Sequence, residues 1–592
     1  MSRWWGSVSS QALIVSVAAL AAPVPALAAS TTISTATTPT TTTNLNASTS
    51  DSLTVTSSGS ISSSASPAVN PAVSLTVNNA TNTVSVTNSG LIEATATGAR
   101  GIRFLNSGGI LNAQIVVTNN VGGIIQSQSD AIQSNPAFTA GSILIDNAGI
   151  IRSTGLGANN GQAIDLNNII GGGTAVTITN RATGLITAAD ADAIRAANNT
   201  TINNFGQIIS VIGTAANGSV SGNDAIDFND AHNTGTVNNF STGLISSARH
   251  GITGNLGITV TNLGTIIGND GSGINIDSTT NASITTVTNY GTIIGTAKTA
   301  DGDGIDVDRL LTLNNYGTIK GLGIASGGSL SEGLAIGGGT VNNYAGALIY
   351  SDQRAITVDD SNLGNAFDVV TINNAGTIQG ANGEAIKITS VLNNLLINSG
   401  TILGSVVMGS GNDTVAIQAG SKIVGLVDGG AGTDTLNYNK VGLGDAKKAA
   451  LAAGQVVNIG GTLYTGFEVF TGTSSSFAAA AGNSAASGLA SLLDNLPNTQ
   501  SQSLAAQTVI DQIASSSDFG AALAQLTPTA FQGLTSIGIN NALQTTQVTD
   551  QRLSNVRSGD VALDVSGFNT VAALLNNDRN RPLAPVAMTR QT

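Results

Sequence analysis

Cysteine is absent from the 592-residue sequence, histidine and tryptophan occur twice each, and charged residues make up only 9% of the chain. Without Cys there is no disulfide scaffold, no Cys-ligated zinc site and no thiol nucleophile. His232 and His250 leave little room for His-based metal or acid–base chemistry. The net charge of −13 argues against nucleic acid as a partner. A hydrophobic content of 41% argues equally against a disordered chain.

The sequence is rich in glycine, with 72 residues, and many of these glycines recur in one phrase. From about Ser85 to Leu403 a β-branched pair is followed by Asn, one to three residues, Gly and an aliphatic pair, as in VTNLGTII at 260–267. A second phrase, a small residue before Ile or Leu, follows each copy, as in Asp192-Ala193-Ile194. These pieces are short and bounded by turn residues, which favours strands over helical repeats. Twelve glycines mark the copies, with spacings from 21 (Gly243 to Gly264) to 37 residues (Gly206 to Gly243): Gly90, Gly123, Gly149, Gly184, Gly206, Gly243, Gly264, Gly291, Gly317, Gly346, Gly376 and Gly400.

The two phrases predict an all-β fold, a right-handed parallel β-helix (a solenoid) of about twelve coils, followed by a short α-helical linker. Each strand should pair with the coils above and below, about 4.8 Å away, so that inward Ile, Val and Leu form one continuous core. We expect the Asn side chains to stack and pair their amides, and Gly to take backbone angles that other residues resist. The residue after the Asn is aromatic in five coils, and these rings should stack along one edge: Phe205, Phe240, Tyr290, Tyr316 and Tyr344.

The N-terminus has the form of a secretory signal peptide. Arg3 supplies a positive charge, residues 12–22 are an apolar run, and Ala26-Leu27-Ala28 fits a cleavage site, with cleavage after Ala28. The apolar run would form a helix of about 16 Å, too short for a hydrocarbon core of about 30 Å. The sequence therefore predicts a protein that leaves the cytoplasm.

Repeated V-T-N-x-G-T-I coils after a signal peptide resemble the passenger domain of bacterial autotransporters, the type V secretion proteins. The resemblance covers about residues 80–475. It rests on twelve copies of a phrase that is weakly specific when it stands alone. It implies a β-helix stalk, a location at the cell surface or outer membrane or release from the cell, and an outer-membrane β-barrel translocator as a partner.

Two glycine-rich phrases at 409–415 and 429–436 match the nonapeptide of calcium-binding β-rolls. Asp413 and Asp434 would supply the carboxylate oxygens to calcium. They lie 21 residues apart, whereas stacked turns of a β-roll lie about 18 residues apart. The alternative is that Gly and Asp form tight corners without a metal. Calcium at these two residues is one hypothesis, and a calcium-stabilised structural rod is one alternative function.

The sequence changes character after residue 475, with Ala, Leu and Ser at helical spacing over 477–526. Thr527-Pro528 has the form of a helix N-cap followed by Pro at the first helical position. The stretch 521–534 resembles the segment that precedes an autotransporter barrel, which in that family threads the barrel pore. After Arg557 only 35 residues remain, whereas a barrel needs about a dozen strands of ~10 residues. We therefore expect the translocator to be missing from a truncated or split gene, or to lie on another chain.

An enzyme is a further alternative, because clustered carboxylates on a β-helix can cleave polysaccharides. The candidate face is Asp301–Asp308 in the run DGDGIDVDR, with Asp277 and Glu332 from neighbouring coils. We interpret these acids as a solvated polar face, and His250, beside Arg249, as a surface residue. The position two before the inward Ile varies in charge sign from coil to coil, unlike one active site: Arg100, Asp130, Gln162, Asp192, Asp224, His250, Ser272, Asp303, Glu332, Arg354 and Glu384.

The sequence thus divides into a signal peptide (1–28), a Ser/Thr-rich lead with the N-terminal cap (29–80), a β-helix passenger (81–475) and a helical linker (476–592). The preferred function is non-enzymatic, that of a surface-displayed or secreted rod for adhesion, aggregation or surface coating. Its outward Thr, Asn and Ser side chains suit host or matrix carbohydrate, or association with further copies. The alternatives are a polysaccharide lyase or hydrolase that uses the Asp301–Asp308 face, and the calcium-stabilised rod.

Overall fold

The protein is an all-β parallel β-helix with a short helical part at its C-terminal end, which confirms the predicted fold class. A computed structural model describes residues 28–525 apart from short gaps: 38–42, 47–48, 65–70, 78–81, 107–111, 136, 158–160, 213–222, 229–233, 279–282, 300–301, 326–329, 361–363, 483–485 and 517. Strands are numbered β1 to β47 along the described chain, and helices α1 to α5.

One face of the β-helix, column A, is a sheet of seventeen parallel strands that carries the Asn of each repeated phrase. Side chains alternate between the core and the outside along each strand, since successive residues of a strand point to opposite faces. The strands are β1 (Ser30–Ile33), β4 (Ser52–Val55), β7 (Thr83–Asn88), β10 (Gln114–Asn119), β13 (Ser142–Asn147), β16 (Ala175–Asn180), β19 (Thr200–Asn204), β22 (Gly235–Asn239), β25 (Thr259–Asn262), β28 (Ile284–Asn289), β31 (Leu310–Asn315), β34 (Gly339–Asn343), β37 (Val370–Asn374), β39 (Leu395–Asn398), β41 (Thr414–Ile417), β44 (Thr435–Tyr438) and β47 (Val469–Thr471).

Two further columns of strands form a second sheet of thirty strands. Column B follows the corner glycine in each coil: β2 (Ala36–Thr37), β5 (Ser60–Ser63), β8 (Leu91–Ala94), β11 (Ile124–Ser127), β14 (Ile150–Ser153), β17 (Leu185–Ala188), β20 (Gln207–Ser210), β23 (Leu244–Ser247), β26 (Thr265–Gly268), β29 (Thr292–Thr296), β32 (Thr318–Leu322), β35 (Leu348–Ser351) and β42 (Lys422–Val424). Column C holds the small-residue–Ile phrase: β3 (Thr43–Asn46), β6 (Val73–Val77), β9 (Ile102–Asn106), β12 (Ile132–Ser134), β15 (Ile164–Asp165), β18 (Ile194–Arg195), β21 (Ile226–Phe228), β24 (Ile252–Gly254), β27 (Ile274–Ile276), β30 (Ile305–Val307), β33 (Leu334–Ile336), β36 (Ile356–Val358), β43 (Leu426–Asp428), β45 (Val457–Ile459) and β46 (Thr462–Thr465). Strands β38 (Thr377–Ile388) and β40 (Thr401–Val407) pair with members of both columns.

The coils stack in register, so that each inward residue lies on its counterpart in the next coil. Val117, Ile145, Ile178, Ile202 and Val237 are successive partners in column A, and all are fully buried. Burying one such side chain stabilises the fold by about 1.5–3 kcal/mol. A slip of one residue would turn a whole strand inside out, which is why the inward aliphatics set the register.

The stack is longer than the twelve repeated phrases predicted. Strands β1 and β4 precede the first phrase, and β41, β44 and β47 follow the last one. In these coils the ladder position is apolar, since Val55 pairs with Asn88 and Ile417 pairs with Asn398. Coils therefore stack wherever the inward aliphatic pattern is present, and the Asn-Gly phrase is not required for stacking.

The corner glycines are required by lack of space, which corrects the expectation that they take unusual backbone angles. Of the twelve only Gly346 has a positive φ, of 84°. At the other eleven, an added Cβ would lie 2.1–2.5 Å from an oxygen atom. At Gly264 those atoms are the carbonyl oxygens of Gly243, at 2.2 Å, and Phe240, at 2.4 Å. Each corner thus presses against the backbone of the preceding coil.

Five helices lie at the C-terminal end: α1 (Asp445–Ala452), α2 (Phe477–Ala481), α3 (Ser487–Asp494), α4 (Leu504–Ala514) and α5 (Phe519–Ala524). The last four enclose a small core around Phe477, Phe519 and Leu523. In α4, Gln507 accepts from the Ile423 N–H at 3.0 Å and donates to the Ile423 carbonyl at 2.6 Å. This amide takes the place of a neighbouring strand and covers the edge of β42.

The helical character predicted after residue 475 is confirmed as far as the described chain extends, to residue 525. The predicted N-cap at Thr527-Pro528 lies outside the described residues, as does most of 521–534. No helix in the described part of the chain combines the length and the hydrophobicity needed to span a bilayer.

Candidate functional site

A ladder of buried asparagines runs along the corner between columns A and B. The twelve ladder asparagines each donate from Nδ2 to an oxygen in the next coil, at 2.6–2.9 Å. The first eleven donate to the next Asn Oδ1, and the last, Asn398, donates to Ser421 Oγ. A second Nδ2–H donates to a backbone carbonyl, as from Asn239 to Thr265 at 3.1 Å, which fixes the direction of the amide. The predicted amide pairing is confirmed: Asn88, Asn119, Asn147, Asn180, Asn204, Asn239, Asn262, Asn289, Asn315, Asn343, Asn374 and Asn398.

The aromatic residues that follow the ladder Asn stack on the outer edge of the same corner. Phe205 and Phe240 have ring centroids 3.9 Å apart. Tyr316 stacks with Tyr290 at 4.8 Å and with Tyr344 at 4.1 Å, with ring planes within 6° of parallel. The predicted edge of rings is therefore present, in two stacks. The three tyrosines are exposed by 37–53%.

A second row of amides lies outside the first, at the residue before the ladder Asn. Asn238 donates to Asn203 at 2.9 Å. Asn342 donates to Asn314 at 3.0 Å, and Asn373 donates to Asn342 at 2.8 Å. We call the row of Asn314, Asn342 and Asn373 the outer amide row. The sequence signal for it is the Asn-Asn doublet, at 314–315, 342–343 and 373–374, which the repeated phrase with its single Asn does not include.

The position before the column C strand is buried in eight of the eleven coils compared in the sequence, and the interpretation as a solvated face is wrong. Asp192, Asp224 and His250 are exposed by only 1–5%. Asp192 Oδ1 accepts the Asp224 N–H at 2.8 Å, and Asp224 Oδ1 accepts the His250 N–H at 3.0 Å. His250 Nδ1 in turn accepts the Ser272 N–H at 2.9 Å. We call this row the corner acceptors, because each side chain binds a backbone amide of the next coil that must be paired when buried.

The same contact recurs at two more coils, where Asp130 accepts from Gln162 and Asp303 accepts from Glu332. Opposite charges at this position form pairs rather than alternate freely. Arg354 contacts Glu384 at 2.7 Å. A change of sign from coil to coil therefore reflects pairing between neighbours.

Burial sets the protonation of the corner acceptors. It raises the pKa of Asp192 and lifts that of Asp224 well above its usual range, and the neighbouring Asp192 charge adds to the effect on Asp224. Burial, with the positive Arg249 beside it, lowers the pKa of His250 to about 3. His250 is therefore neutral at physiological pH, as its acceptor role at Nδ1 requires.

The candidate catalytic face does not assemble as an open cluster of acids in the described part of the chain. Asp301 lies outside the described residues. Asp303 is buried and holds a backbone amide of the next coil. Asp306 is half-buried between Asn275 and Ala335, its partners in the adjacent coils.

The other members of that face are engaged elsewhere. The exposed Asp277 accepts from Asn275 Nδ2 at 2.8 Å. Arg309 lies over the ring of Phe367, 3.4 Å from its centroid. Glu332 accepts from Thr357 Oγ1 at 2.8 Å. These contacts give the residues structural roles in their coils.

Asp413 and Asp434 lie at equivalent corners of successive coils, and both are fully buried. Asp413 Oδ1 accepts the Asn394 N–H at 2.6 Å, and Asp434 Oδ1 accepts the Asp413 N–H at 2.7 Å. Glu468 Oε2 accepts the Asp434 N–H at 2.9 Å. The Oδ2 atoms of both Asp residues have no hydrogen-bond partner. Burial raises the pKa of each to about 6.

The calcium hypothesis at these two residues has a partial donor set. Two carboxylate oxygens without partners are of the right type, but Ca²⁺ takes about six to eight oxygen ligands. In the described chain no three His, Asp or Glu side chains are placed to hold a metal ion together. Calcium at Asp413 and Asp434 stays a prediction, and the corner contact explains the two motifs without it.

We expect Asp434→Asn to reduce, by about 1–2 kcal/mol, the fall in the free energy of unfolding of the last coils between about pH 4 and 7.5. A folded-state pKa raised from 3.8 to about 6 means that the native state binds protons more tightly than the unfolded chain. Stability from this group is thus full below about pH 4 and falls as the pH rises through about 6. Asn at this position has no titrating charge and keeps an oxygen acceptor for the Asp413 N–H. The loss of stability with rising pH should therefore be smaller in the variant.

The measurement is the urea midpoint from about pH 4 to 7.5, with and without added calcium, and with Asp445→Asn as the exposed control. An unchanged pH slope in Asp434→Asn would contradict the protonation argument. A calcium-dependent rise in the midpoint of the native chain that disappears in Asp434→Ala would establish the metal.

On the corner between columns A and B, the exposed residues on either side of the ladder Asn are uncharged from Asn203 to Ser399, and they include the tyrosine stack and the outer amide row. Earlier on the same corner, Asp146 and Arg181 form an ion pair. Of the acids singled out from the sequence, Asp303, Asp413 and Asp434 hold backbone amides of a neighbouring coil. The signal that could have located the corner acceptors is their constant place directly before the small-residue–Ile phrase. No family model matches the chain, and neither the curated proteins nor the solved structures include a significant match.

Proposed function

We propose that this chain is a non-enzymatic, exported β-helical rod that acts at the cell surface or after release, in the manner of an autotransporter passenger. Its role is adhesion, aggregation or surface coating. One observation carries the proposal: buried acids such as Asp224 and Asp303 bind backbone amides, while the residues on either side of the ladder Asn are uncharged from Asn203 to Ser399. Such a surface suits many weak contacts and offers no acid–base pair for hydrolysis.

The dimensions of the rod support the same role. Seventeen strands at about 4.8 Å rise on the order of 80 Å. Each coil contacts only its neighbours, so the stability of a coil depends on the adjacent coils and not on the length of the stack. A rod of this kind projects its side faces away from the surface that anchors it.

The partners that the proposal requires are of two kinds. An outer-membrane β-barrel translocator, its own or on a second chain, would move the rod across the outer membrane. At the surface, host or matrix carbohydrate or further copies of the rod would bind its neutral corner. Export itself rests on the signal-like residues 1–28, of which only Ala28 is among the described residues.

We expect the full-length chain, expressed in a Gram-negative host, to leave the cytoplasm and to begin at Ala29. The small residues at Ala26 and Ala28 fit the cleavage site, so Ala28→Tyr should block processing, while Ala29→Tyr should leave it unchanged. Mass spectrometry of the N-terminal peptide in each cell fraction measures both results. A soluble cytoplasmic chain that retains Arg3 would overturn export, and with it the proposed role.

A further inference from the structure

We propose that the free face of the Tyr344 ring is a binding site for one ring of a neutral sugar. This inference rests on the proposed function and deepens it, because it gives the adhesin-like rod a ligand class and a place to bind. The site lies on the exposed corner, two coils before Asn398, the last Asn of the buried ladder.

The first step is that Tyr344 ends its stack. Tyr290, Tyr316 and Tyr344 cover one another through parallel ring faces, so the inner faces are not available to a ligand. In the next coil the position of Tyr344 is taken by Ala375, because Asn343 and Asn374 are register partners. Ala375 is small and exposed. One face of the Tyr344 ring therefore has no ring against it.

The second step is that the outer amide row ends one coil further on, at Asn373, in the coil that carries Ala375. Asn373 donates to Asn342, and Asn342 donates to Asn314, so each amide points its N–H toward lower-numbered coils. The register partner of Asn373 in the following coil is Ile397, which has no side-chain donor. The Oδ1 atom of Asn373 thus remains as an acceptor at the end of the row, beside the open ring face.

The third step is the shape and charge of the place where the two rows end. A hollow of about 140 Å³ lies there. Its outer lining is Asn342, Tyr344, Asn373, Ala375, Ile397 and Ser399, and none of these side chains is charged. A volume of this size suits a single six-membered ring, and a neutral lining offers nothing to pair with an ionised ligand.

A pyranose ring can contact both the open face of the Tyr344 ring and the polar groups beside it. Its axial C–H groups carry a partial positive charge and are attracted to the negative face of an aromatic ring. Its hydroxyls can donate to Asn373 Oδ1 and to Oγ of the exposed Ser399, whose own hydroxyl donates to the Asn374 carbonyl at 3.3 Å. A purely apolar occupant would leave the Asn373 acceptor buried without a donor, which costs free energy.

The experiment measures binding of neutral hexasaccharides (cellohexaose, xylohexaose, mannohexaose and laminarihexaose) to the purified full-length chain by saturation-transfer NMR and calorimetry. We expect at least one probe to bind. Tyr344→Ala removes the ring, and Ala375→Leu covers its face at an exposed position without touching the core. Each should weaken binding about tenfold or more. Tyr290→Ala, which removes the ring at the far end of the stack, should change it less than about twofold, and hexagalacturonate should not bind.

Failure of every neutral probe to bind, or equal binding by Ala375→Leu and the native chain, overturns the inference. Concentration-dependent self-association that Ala375→Leu abolishes, without sugar binding, overturns it in favour of a second copy as the occupant. Because purified protein is used, these results do not depend on export. If the chain is processed after Ala28 but binds no sugar, the proposed sugar site is wrong and the proposed rod function still stands.

Discussion

Replacing Asn239 by Ala is expected to lower the local free energy of unfolding by about 3–5 kcal/mol. Asn239 Nδ2 donates to Asn262 Oδ1 at 2.8 Å and to the Thr265 carbonyl at 3.1 Å, and its Oδ1 accepts from Asn204 at 2.8 Å. The three Asn side chains are fully buried in the corner, where water cannot replace the missing amide. Each buried group left unpaired costs about 1–3 kcal/mol.

Native-state hydrogen exchange of the amides in β22 and β25 measures this loss coil by coil, and the urea midpoint measures it for the whole chain. The matched control is Asn238→Ala, one residue earlier on the same strand. Asn238 faces outward, and its replacement removes one partly buried hydrogen bond, to Asn203. A shift of the same size in both variants would mean that the buried ladder adds no stability of its own.

Gly264→Ala is expected to destabilise the rod by about 3 kcal/mol, which places it among the most damaging single methyl additions in the chain. The added Cβ would meet the carbonyl oxygens of Gly243 and Phe240 at 2.2 and 2.4 Å. Both are backbone atoms that belong to strand pairing or to the preceding corner, so relief requires the whole coil to shift. The cost is therefore one of overlap and lost pairing, and backbone strain has no part in it.

Gly172→Ala is the control for this variant, since no atom lies within 4 Å of the added Cβ. Its unfolding midpoint should change by less than the equivalent of about 0.5 kcal/mol. Circular dichroism during urea titration compares both variants with the native chain. Native-like stability in Gly264→Ala would show that the corner can open at little cost, contrary to the close approach described above.

The strand pattern and the amide ladder could be predicted because both repeat with the period of one coil. Val or Ile before Asn at a fixed offset, as at Val260 and Asn262, is enough to place one side chain in the core and the next inward one at the corner. The number of coils could not be predicted from the same phrase. Coils such as those of β4 and β41 stack without an Asn in the ladder position, which Val55 and Ile417 occupy.

The candidate site was predictable in its aromatic part and not in its acidic part. Aromatic residues at equal offsets in successive coils must lie above one another, which was enough to place Tyr316 on Tyr290. The burial of Asp192 and Asp224 depends on a backbone N–H at the corner that needs an acceptor. That requirement comes from how the chain bends between columns B and C. Residue polarity alone would predict that these Asp side chains are exposed.

The uncharged side-chain amides of the buried ladder, from Asn88 to Asn398, also form a row of aligned dipoles. An amide group carries a dipole of about 3.5 D, and every side-chain amide in the ladder points its N–H toward the C-terminal end. Aligned dipoles add and polarise one another, which makes each bond in the row stronger than an isolated one. The short outer row at Asn314, Asn342 and Asn373 points the opposite way and offsets only part of this sum. The two ends of the stalk are therefore electrically distinct, partly negative at Asn88 and partly positive at Asn398, although no charged residue belongs to the row.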